Sequence, residues 1–357
     1  PREVRGVGKL KEAMLYSQLP DGSVECNLCH RRCRIPKGSV GFCGVRKNVD
    51  GVLYSLVYGK AIAANIDPIE KKPLFHYYPG SAVMSIATVG CNFRCKFCDN
   101  WVISQSKEIE GLDFPPDRVV SQSLRYGCHG ISYTYTEPTI FFEYAYDTAK
   151  LAREKNLFNT FVTNGYMTPE AVRAISPYLN AATVDFKGSG DPKFYREFMS
   201  VPDPEPIFET LKEMKRCGVF VEVTNLMVTK YGDDLEKLRE LASRIVEVLG
   251  KDTPFHILKF HPDYQLYDVS STPISTLEKA AEIAVDIGLR YVYIGNVPGH
   301  KLEHTYCPNC KEVLIERFSF DILKWKLTAD NSCPKCGEKI NIVGTLQKGG
   351  SKWLSLI

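Results

Sequence analysis

The sequence predicts an α/β protein: a partial (β/α)6 barrel of the TIM type, with a small cysteine-rich region before it and a metal-bound ribbon after it. Three observations predict this. Between residues 81 and 300, short apolar runs alternate with longer amphipathic stretches, and each run ends in a polar or glycine-containing tip. Such alternation argues for parallel strands joined by right-handed helical crossovers. The 13 cysteines are clustered, mostly at metal-ligand spacings, on both sides of the repeat and inside it. Finally, 357 residues at 44% hydrophobic and 24% charged supply enough apolar material for one large domain with small appendages. The expected division is 1–80, 81–300 and 301–357.

Taken in chain order, "PREVRGVGKLKEAMLYSQL" is charged, reads as helix and has no signal-peptide core. No apolar run approaches the ~20 residues that span a bilayer. A cytoplasmic chain without a membrane segment is therefore expected. The net charge of +3 neither demands nor excludes nucleic acid or an anionic membrane.

Next comes "CNLCHRRCRIPKGSVGFCG", where Cys26, Cys29, Cys33 and Cys43 make C-x2-C-x3-C-x9-C. In a reducing compartment such spacing reads as a metal site and not as disulfides. Four thiols fill a site, so it should be structural or electron-transferring. Zinc and an auxiliary 4Fe–4S cluster both fit, and the knuckle-like "CNLCH" and "GFCG" lean the reading towards zinc. Free thiols are the third reading. Isolated Cys128 and Cys217 read as small buried hydrophobes.

The strands follow: "SAVMSIATVG" (81–90), "GISYTYTEP" (130–138), "NTFVTNGY" (159–166), "AATVDFKG" (181–188), "VFVEVTNLMV" (219–228) and "PFHILKF" (254–260), with "RYVYIGNVPG" (290–299) as a possible seventh edge. Stretches such as "IFFEYAYDTAKLAREKN" and "DDLEKLRELASRIVEVLG" are the helices between them. A ligand is expected at the C-terminal ends of the strands.

Directly after the first strand stands "CNFRCKFCDNW", with Cys91, Cys95 and Cys98 at C-x3-C-x2-C. A helical core stripe would also give this spacing, but the segment is crowded with Arg94, Lys96, Asp99 and Asn100. A structural zinc site would need a fourth ligand, and none is near in sequence. Three thiolates suit an iron–sulfur cube with one iron left open.

This motif resembles that of the radical S-adenosylmethionine (SAM) superfamily. With "DPIEKKPLFHYYPGS", "YTEPTIFFEY", "VTNGYMTPE" and "YVYIGNVPG", the chain resembles the AmmeMemoRadiSam enzymes over roughly residues 25–340. That family is close to the activases of glycyl-radical enzymes. The resemblance implies that Cys91, Cys95 and Cys98 ligate a 4Fe–4S cluster, that SAM chelates the fourth iron, and that Phe97 lies against the adenine. "YTEP" stands where many relatives have GGEP, so Glu137 would meet the SAM amino group; it also reads as a helix start with Pro138 at the first position. Asn164 in "TNG" is either a SAM contact or a simple turn. "DFK" resembles the activases' DxK, which gives Asp185 to a ribose hydroxyl and Lys187 to the SAM carboxylate; a strand-end salt bridge is the plainer reading. His261 corresponds to a SAM-contacting histidine, and His256 has the weaker claim. Asp99 departs from the expected Gln and alters the charge beside the ligands.

The C-terminal "CPNC" and "CPKC" place Cys307, Cys310, Cys333 and Cys336 as two knuckles flanking the strand-like "EVLIERF" and followed by the strand-like "KINIVG". This spacing predicts a zinc ribbon, with zinc preferred over rubredoxin-like iron. The implied chemistry is reductive: a low-potential donor, ferredoxin or flavodoxin, supplies one electron, and SAM yields methionine and a 5′-deoxyadenosyl radical that abstracts hydrogen. An activase-like protein substrate is the first expectation. A small molecule, lipid or RNA is the second, with nucleic acid disfavoured by the absence of an aromatic-basic stripe. A non-catalytic metal-ribbon binding module is the third. The family resemblance also implies Memo-like and AMME-candidate-like partner proteins.

Overall fold

The computed structural model describes residues 10–349 and 353–357. Its centre is a nine-stranded sheet. We number its strands β1 (Ala63–Pro68), β2 (Ala82–Ala87), β3 (Gly130–Tyr133), β4 (Phe158–Thr163), β5 (Ala181–Lys187), β6 (Phe220–Met227), β7 (Phe255–Lys259), β8 (Val292–Gly295) and β9 (Leu354–Ser355). The order is β8-β7-β6-β5-β4-β3-β2-β1-β9. Strands β2 to β8 are parallel to their neighbours. At one edge β1 and β9 run antiparallel. All seven strand-like runs of the sequence are strands, and "RYVYIGNVPG" is the edge one.

Helices form where the sequence supplies both a start signal and an apolar stripe. Thr168 accepts from Ala171 N at the head of Pro169–Ile175, Asp191 from Lys193 N before Pro192–Met199, and Asp234 from Glu236 N and Lys237 N before Leu235–Val248. Each cap satisfies backbone donors that the helix cannot. The buried stripes, such as Leu238, Leu241, Ala242 and Ile245, recur at helical spacing.

The two faces of the sheet differ. Met84, Ile86, Ile131, Tyr133, Phe161, Val184, Phe186 and Val223 make one apolar face, all of them buried. The other face carries Ser85, Ser132 and Thr160 side by side, then Thr183 beside Glu222 and Thr224 beside His256. The loop "DPIEKKPLFHYYPG" packs across the N-terminal half of this polar face. Thr183 Oγ1 donates to Lys72 O at 2.5 Å, and His76 N donates to Glu222 Oε1 at 2.7 Å. His256 Nε2 lies 2.7 Å from Glu222 Oε2, so His256 is a buried structural group. Lys72 and Tyr135 both reach Asp67, the former at 2.7 Å. Thr183, Glu222, His256, Lys72 and Asp67 are thus buried but paired, whereas the Ser85, Ser132 and Thr160 hydroxyls are buried without a hydrogen-bond partner.

Two sequence expectations are corrected. The N-terminal segment is not a helix where it is described: Lys11–Glu12 and Tyr16–Gln18 are strands, because their partners Val52–Ser55 and Val24–Cys26 offer ladders. Residues 1–9 of that expectation lie outside the described residues. "KINIVG" is not a strand; the ribbon's second long strand is Asp321–Trp325, antiparallel to Val313–Phe318. Residues 339–344 make only isolated bridges, Val343 with Tyr77 and Lys339 with Ser332.

Candidate cluster and SAM site

After β2 the chain turns at Gly90 and runs as loop through Cys91–Asn100 before a short helix, Trp101–Ser104. The three thiols are therefore not a helical stripe. Gly90 has φ +95°, and a side chain there would meet Cys43 O at 2.8 Å and Val45 at 2.7 Å. Only glycine meets both demands. The loop is then clamped. Arg94 N donates to Met199 O (2.9 Å), Lys96 N to Phe198 O (2.8 Å) and Gly90 N to Ile103 O (3.0 Å). The Arg94 guanidinium donates to Cys91 O at 2.6 Å and to Phe42 O at 2.5 Å.

Cys95 is buried, and Cys91 and Cys98 are half-buried. Burial pushes all three thiols up, Cys95 to about 12. For Cys91 the next causes include Glu137 and the other two thiols, which places the four groups near one another. Such thiols become ligands only when a cation compensates them. Phe93 N donates to Cys91 Sγ at 3.4 Å, and Cys98 Sγ lies 3.2 Å from Ser104 Oγ.

The other expected residues gather at the same strand ends. Lys187 Nζ is 3.3 Å from Asp185 Oδ2, and Thr224 Oγ1 donates to Asp185 Oδ1 at 2.6 Å. Burial works against the Lys187 charge, but Asp185 and the thiolates of Cys95 and Cys98 outweigh it, and its pKa is raised. The strand-end ion pair is thus present, and it faces the thiols. Phe97 is buried against Phe194, with ring centroids 5.6 Å apart.

Glu137 accepts four hydrogen bonds within the protein. Its Oε1 accepts from Thr139 N (3.0 Å), Thr139 Oγ1 (2.6 Å) and Thr163 Oγ1 (2.7 Å), and its Oε2 from Asn164 N (2.8 Å). It caps the 3-10 turn Pro138–Phe141, as the helix-start reading expects. Burial raises its pKa while these bonds pull it back. Asn164 closes its own turn through Tyr166 N (3.0 Å) and donates to Asn92 Oδ1 at 2.7 Å.

His261 is exposed, on the segment following β7. That segment lies over the cysteine loop. Gln265 N donates to Lys96 O at 2.8 Å, and the Tyr264 ring stacks on Trp101 at 4.9 Å. Asp99 is pushed up by burial and then by Asp263, against Lys187 and His261. Sequence reasoning missed Asp263, Tyr264 and Ser104, since no motif marks them. It also missed the Asp67–Lys72–Tyr135 group, although "DPIEKKPLFHYYPG" stood out.

The N-terminal thiols lie close by. Cys26, Cys29, Cys33 and Cys43 line one cavity together with Asn92 and Thr139. Burial, then Cys26, pushes the Cys29 thiol up to about 12, with Cys43 and Cys33 adding to it. The Cys29–Cys33 loop is pinned to the tip after β4 by His30 N to Tyr166 O (3.0 Å) and Thr168 Oγ1 to Asn27 O (2.8 Å).

At the C-terminus, Cys307, Cys310, Cys333 and Cys336 have ligand atoms all within 4.8 Å of one another. The Sγ pairs 307–336 and 310–333 are 3.5 and 3.6 Å apart. A tetrahedral ion at ~2.3 Å from each sulfur sets an edge of about 3.8 Å. This set can hold one zinc or iron, as expected of a ribbon. Cys128 is buried, as a small hydrophobe would be, and Cys217 is half-buried.

Residues 85–245 match the profile of the Radical SAM superfamily. The uncharacterized protein MJ0808 of Methanocaldococcus jannaschii is 48% identical over 337 residues, 94% of this chain and 100% of that protein. Among solved structures, a radical SAM methyltransferase from Sphaerobacter thermophilus matches at 13% identity and TM-score 0.49, over 61% of this chain and 68% of that one. Streptococcus suis SuiB bound to S-adenosylmethionine matches at 16% and 0.48, over 67% and 56%. A domain of pyruvate-formate lyase-activating enzyme from Bacteroides vulgatus matches at 17% and 0.42, over 47% and 99%. Among the described residues no helix is long and apolar enough to cross a membrane. The matched stretch begins in β2, includes Cys91, Cys95 and Cys98 and runs into the helix Leu235–Val248; this part of the chain is a domain of the Radical SAM superfamily, enzymes whose chemistry rests on a 4Fe–4S cluster and SAM.

Proposed function

We propose that Cys91, Cys95 and Cys98 hold the 4Fe–4S cluster and that SAM binds beside Asp185 and Lys187. The observation that carries this reading is a set of three thiols, with no fourth cysteine in its loop, facing a strand-end ammonium group. When bound, the pair supplies one-electron cleavage of SAM to methionine and a 5′-deoxyadenosyl radical that takes hydrogen from the substrate. The chain's own residues orient and enclose. Lys187, held by Asp185, meets the SAM carboxylate as a point charge. Asp185 accepts from Thr224 at Oδ1 and from Lys187 at Oδ2, and the remaining acceptor capacity of Oδ2 would serve a ribose hydroxyl. Phe97 offers an apolar wall to the adenine. Glu137 acts first by fixing Asn164 and the β4 tip, and through them Asn92 beside Cys91. His261, Asp263 and Tyr264 form a cover over the loop that keeps water from the radical.

The finer assignments belong to the same reading. The parallel strands form the partial (β/α)6 barrel with β8 as an added edge, within a division of 1–80, 81–300 and 301–357. The chain acts in the cytoplasm as an AmmeMemoRadiSam enzyme on a protein substrate, in the manner of the activases. A ferredoxin or flavodoxin supplies electrons, and Memo-like and AMME-candidate-like proteins are its partners. Zinc occupies the C-terminal four cysteines and folds a piece too small to hold a core alone.

The test is anaerobic. The reconstituted protein with dithionite and SAM should release 5′-deoxyadenosine, and Cys95→Ala should not. A fully loaded protein that makes none, and whose reduced-cluster EPR spectrum SAM leaves unchanged, would sink the reading. Deuterium transferred from a labelled protein partner into 5′-deoxyadenosine would support the activase-like substrate; transfer only from small molecules would overturn that part.

A further inference from the structure

We propose that Cys26, Cys29, Cys33 and Cys43 hold a second 4Fe–4S cluster and not a zinc ion, in a cavity that shares a wall with the Cys91 loop. The inference does not depend on SAM cleavage.

The molecule contains its own control. Four thiols around one ion must converge, and the C-terminal four do so, with sulfur pairs 3.5 and 3.6 Å apart. Among the described residues, that group alone brings three or more such ligand atoms within 4.8 Å. The N-terminal four are not drawn together in this way. All four instead line a single small cavity. In a cube each thiolate binds a different iron, so the sulfurs stand apart around an inorganic core. Thiols that share one cavity without converging fit that core, whereas a single ion at ~2.3 Å from each sulfur needs them drawn together.

The rest of the lining agrees. Leu28, Ile35 and Ile140 are apolar. Among them sit Arg46 and Asn92, 2% and 0% exposed, and both line the cavity. Arg46 Nε and Asn92 Nδ2 have no hydrogen-bond partner. Buried donors left unpaired are costly. The bridging sulfides of an anionic cluster are acceptors, and hydrogen bonds to cluster sulfur are a recognised means of tuning potential.

The wall shared with the Cys91 loop is built from specific contacts. Arg31 donates through Nε to Asn92 O at 2.5 Å. Arg94 ties Cys91 O to Phe42 O, next to Cys43. At Gly90 the absence of a side chain lets the two loops touch.

The experiment is a metal count. Wild type, C91A/C95A/C98A and C29A/C33A are reconstituted anaerobically with iron, sulfide and zinc all present. Iron and zinc are measured by mass spectrometry, acid-labile sulfide chemically, and cluster type by Mössbauer spectroscopy. Wild type should carry about eight irons and one zinc per chain, and each variant about four irons, by the stoichiometry of four-iron clusters. Retention of about four irons and four sulfides by C91A/C95A/C98A is the decisive expectation. Wild type with four irons and two zincs, or C91A/C95A/C98A with two zincs and no iron, would overturn the proposal. If a variant does not fold, the wild-type count decides alone. A protein that holds both clusters yet fails to cleave SAM would refute the proposed function and leave this inference standing.

Discussion

Glu143→Gln should destabilise the protein severely although Glu143 lies on a helix away from the proposed chemistry. Arg46 and Glu143 are 2% and 0% exposed and pair through two contacts, Nη1 to Oε1 at 3.0 Å and to Oε2 at 2.8 Å. Glu143 Oε1 also accepts from Met14 N at 2.7 Å, and Arg46 Nη2 donates to Met14 O at 3.0 Å. The pair therefore joins the helix Phe142–Glu154 to two N-terminal segments. Removing one partner leaves an uncompensated buried charge, which costs about 3–5 kcal/mol. An amide at 143 can still accept from Met14 N and from one Arg46 N–H, so about 3 kcal/mol is expected for Glu143→Gln. Glu143→Ala also orphans Met14 N, whose desolvation adds ~1–3 kcal/mol. Arg46→Met combined with Glu143→Leu leaves no buried charge, though it orphans Met14 N and Met14 O, and should cost less than the sum of Arg46→Met and Glu143→Leu alone. Anaerobic urea unfolding followed by circular dichroism reads all three, together with the singles Arg46→Met and Glu143→Leu. A loss below about 1 kcal/mol for Glu143→Gln, or a double variant as damaged as the sum of its singles, refutes the argument.

Other outcomes follow from the same geometry. His76 donates from Nδ1 to Asn341 O (2.7 Å) and accepts at Nε2 from Tyr293 OH (2.6 Å), so its neutral form is fully paired. Burial holds its pKa down at about 4, with Arg317 and His256 lowering it further and Glu222 opposing. A folded pKa below the unfolded ~6.5 means that acid is taken up on unfolding; stability from this group is complete above ~6.5 and declines as pH falls towards 4. Between pH 7 and pH 5 the loss is about 2 kcal/mol, and it should shrink in His76→Gln; equal losses in the two proteins refute it. Cys333→Ser should lower bound zinc by about one per chain and speed hydrogen exchange in Val313–Phe318, with the parallel sheet unaffected. Lys187→Met should raise the SAM dissociation constant at least ~10-fold, measured by equilibrium dialysis, with little change in unfolding midpoint. Ser104→Ala, which removes the hydroxyl 3.2 Å from Cys98 Sγ, should shift the cluster potential to more negative values in EPR-monitored titration.

Much of this protein could be read from local pattern. Short apolar runs alternating with amphipathic stretches located the parallel strands, because each strand's burial follows from its own residues. The thiol spacings 91/95/98 and 307/310/333/336 marked two sites, because ligands on one short loop or in paired knuckles must be near neighbours. Tertiary structure decided the rest. Whether Lys11–Glu12 is strand or helix depends on a partner some forty residues later, which propensity cannot register. Glu137 is a cap and latch because Thr163 and Asn164 arrive from another strand. "DPIEKKPLFHYYPG" had no role in the sequence and acquires one by covering the polar face of the sheet, where Thr183 and Glu222 await its backbone. The N-terminal cysteines show the limit most directly. Their spacing admits both zinc and iron–sulfur and leaned the sequence reading to zinc, because sequence fixes how many residues separate the thiols, whereas the choice of metal turns on how far apart folding holds their sulfurs and what donors it leaves unpaired between them.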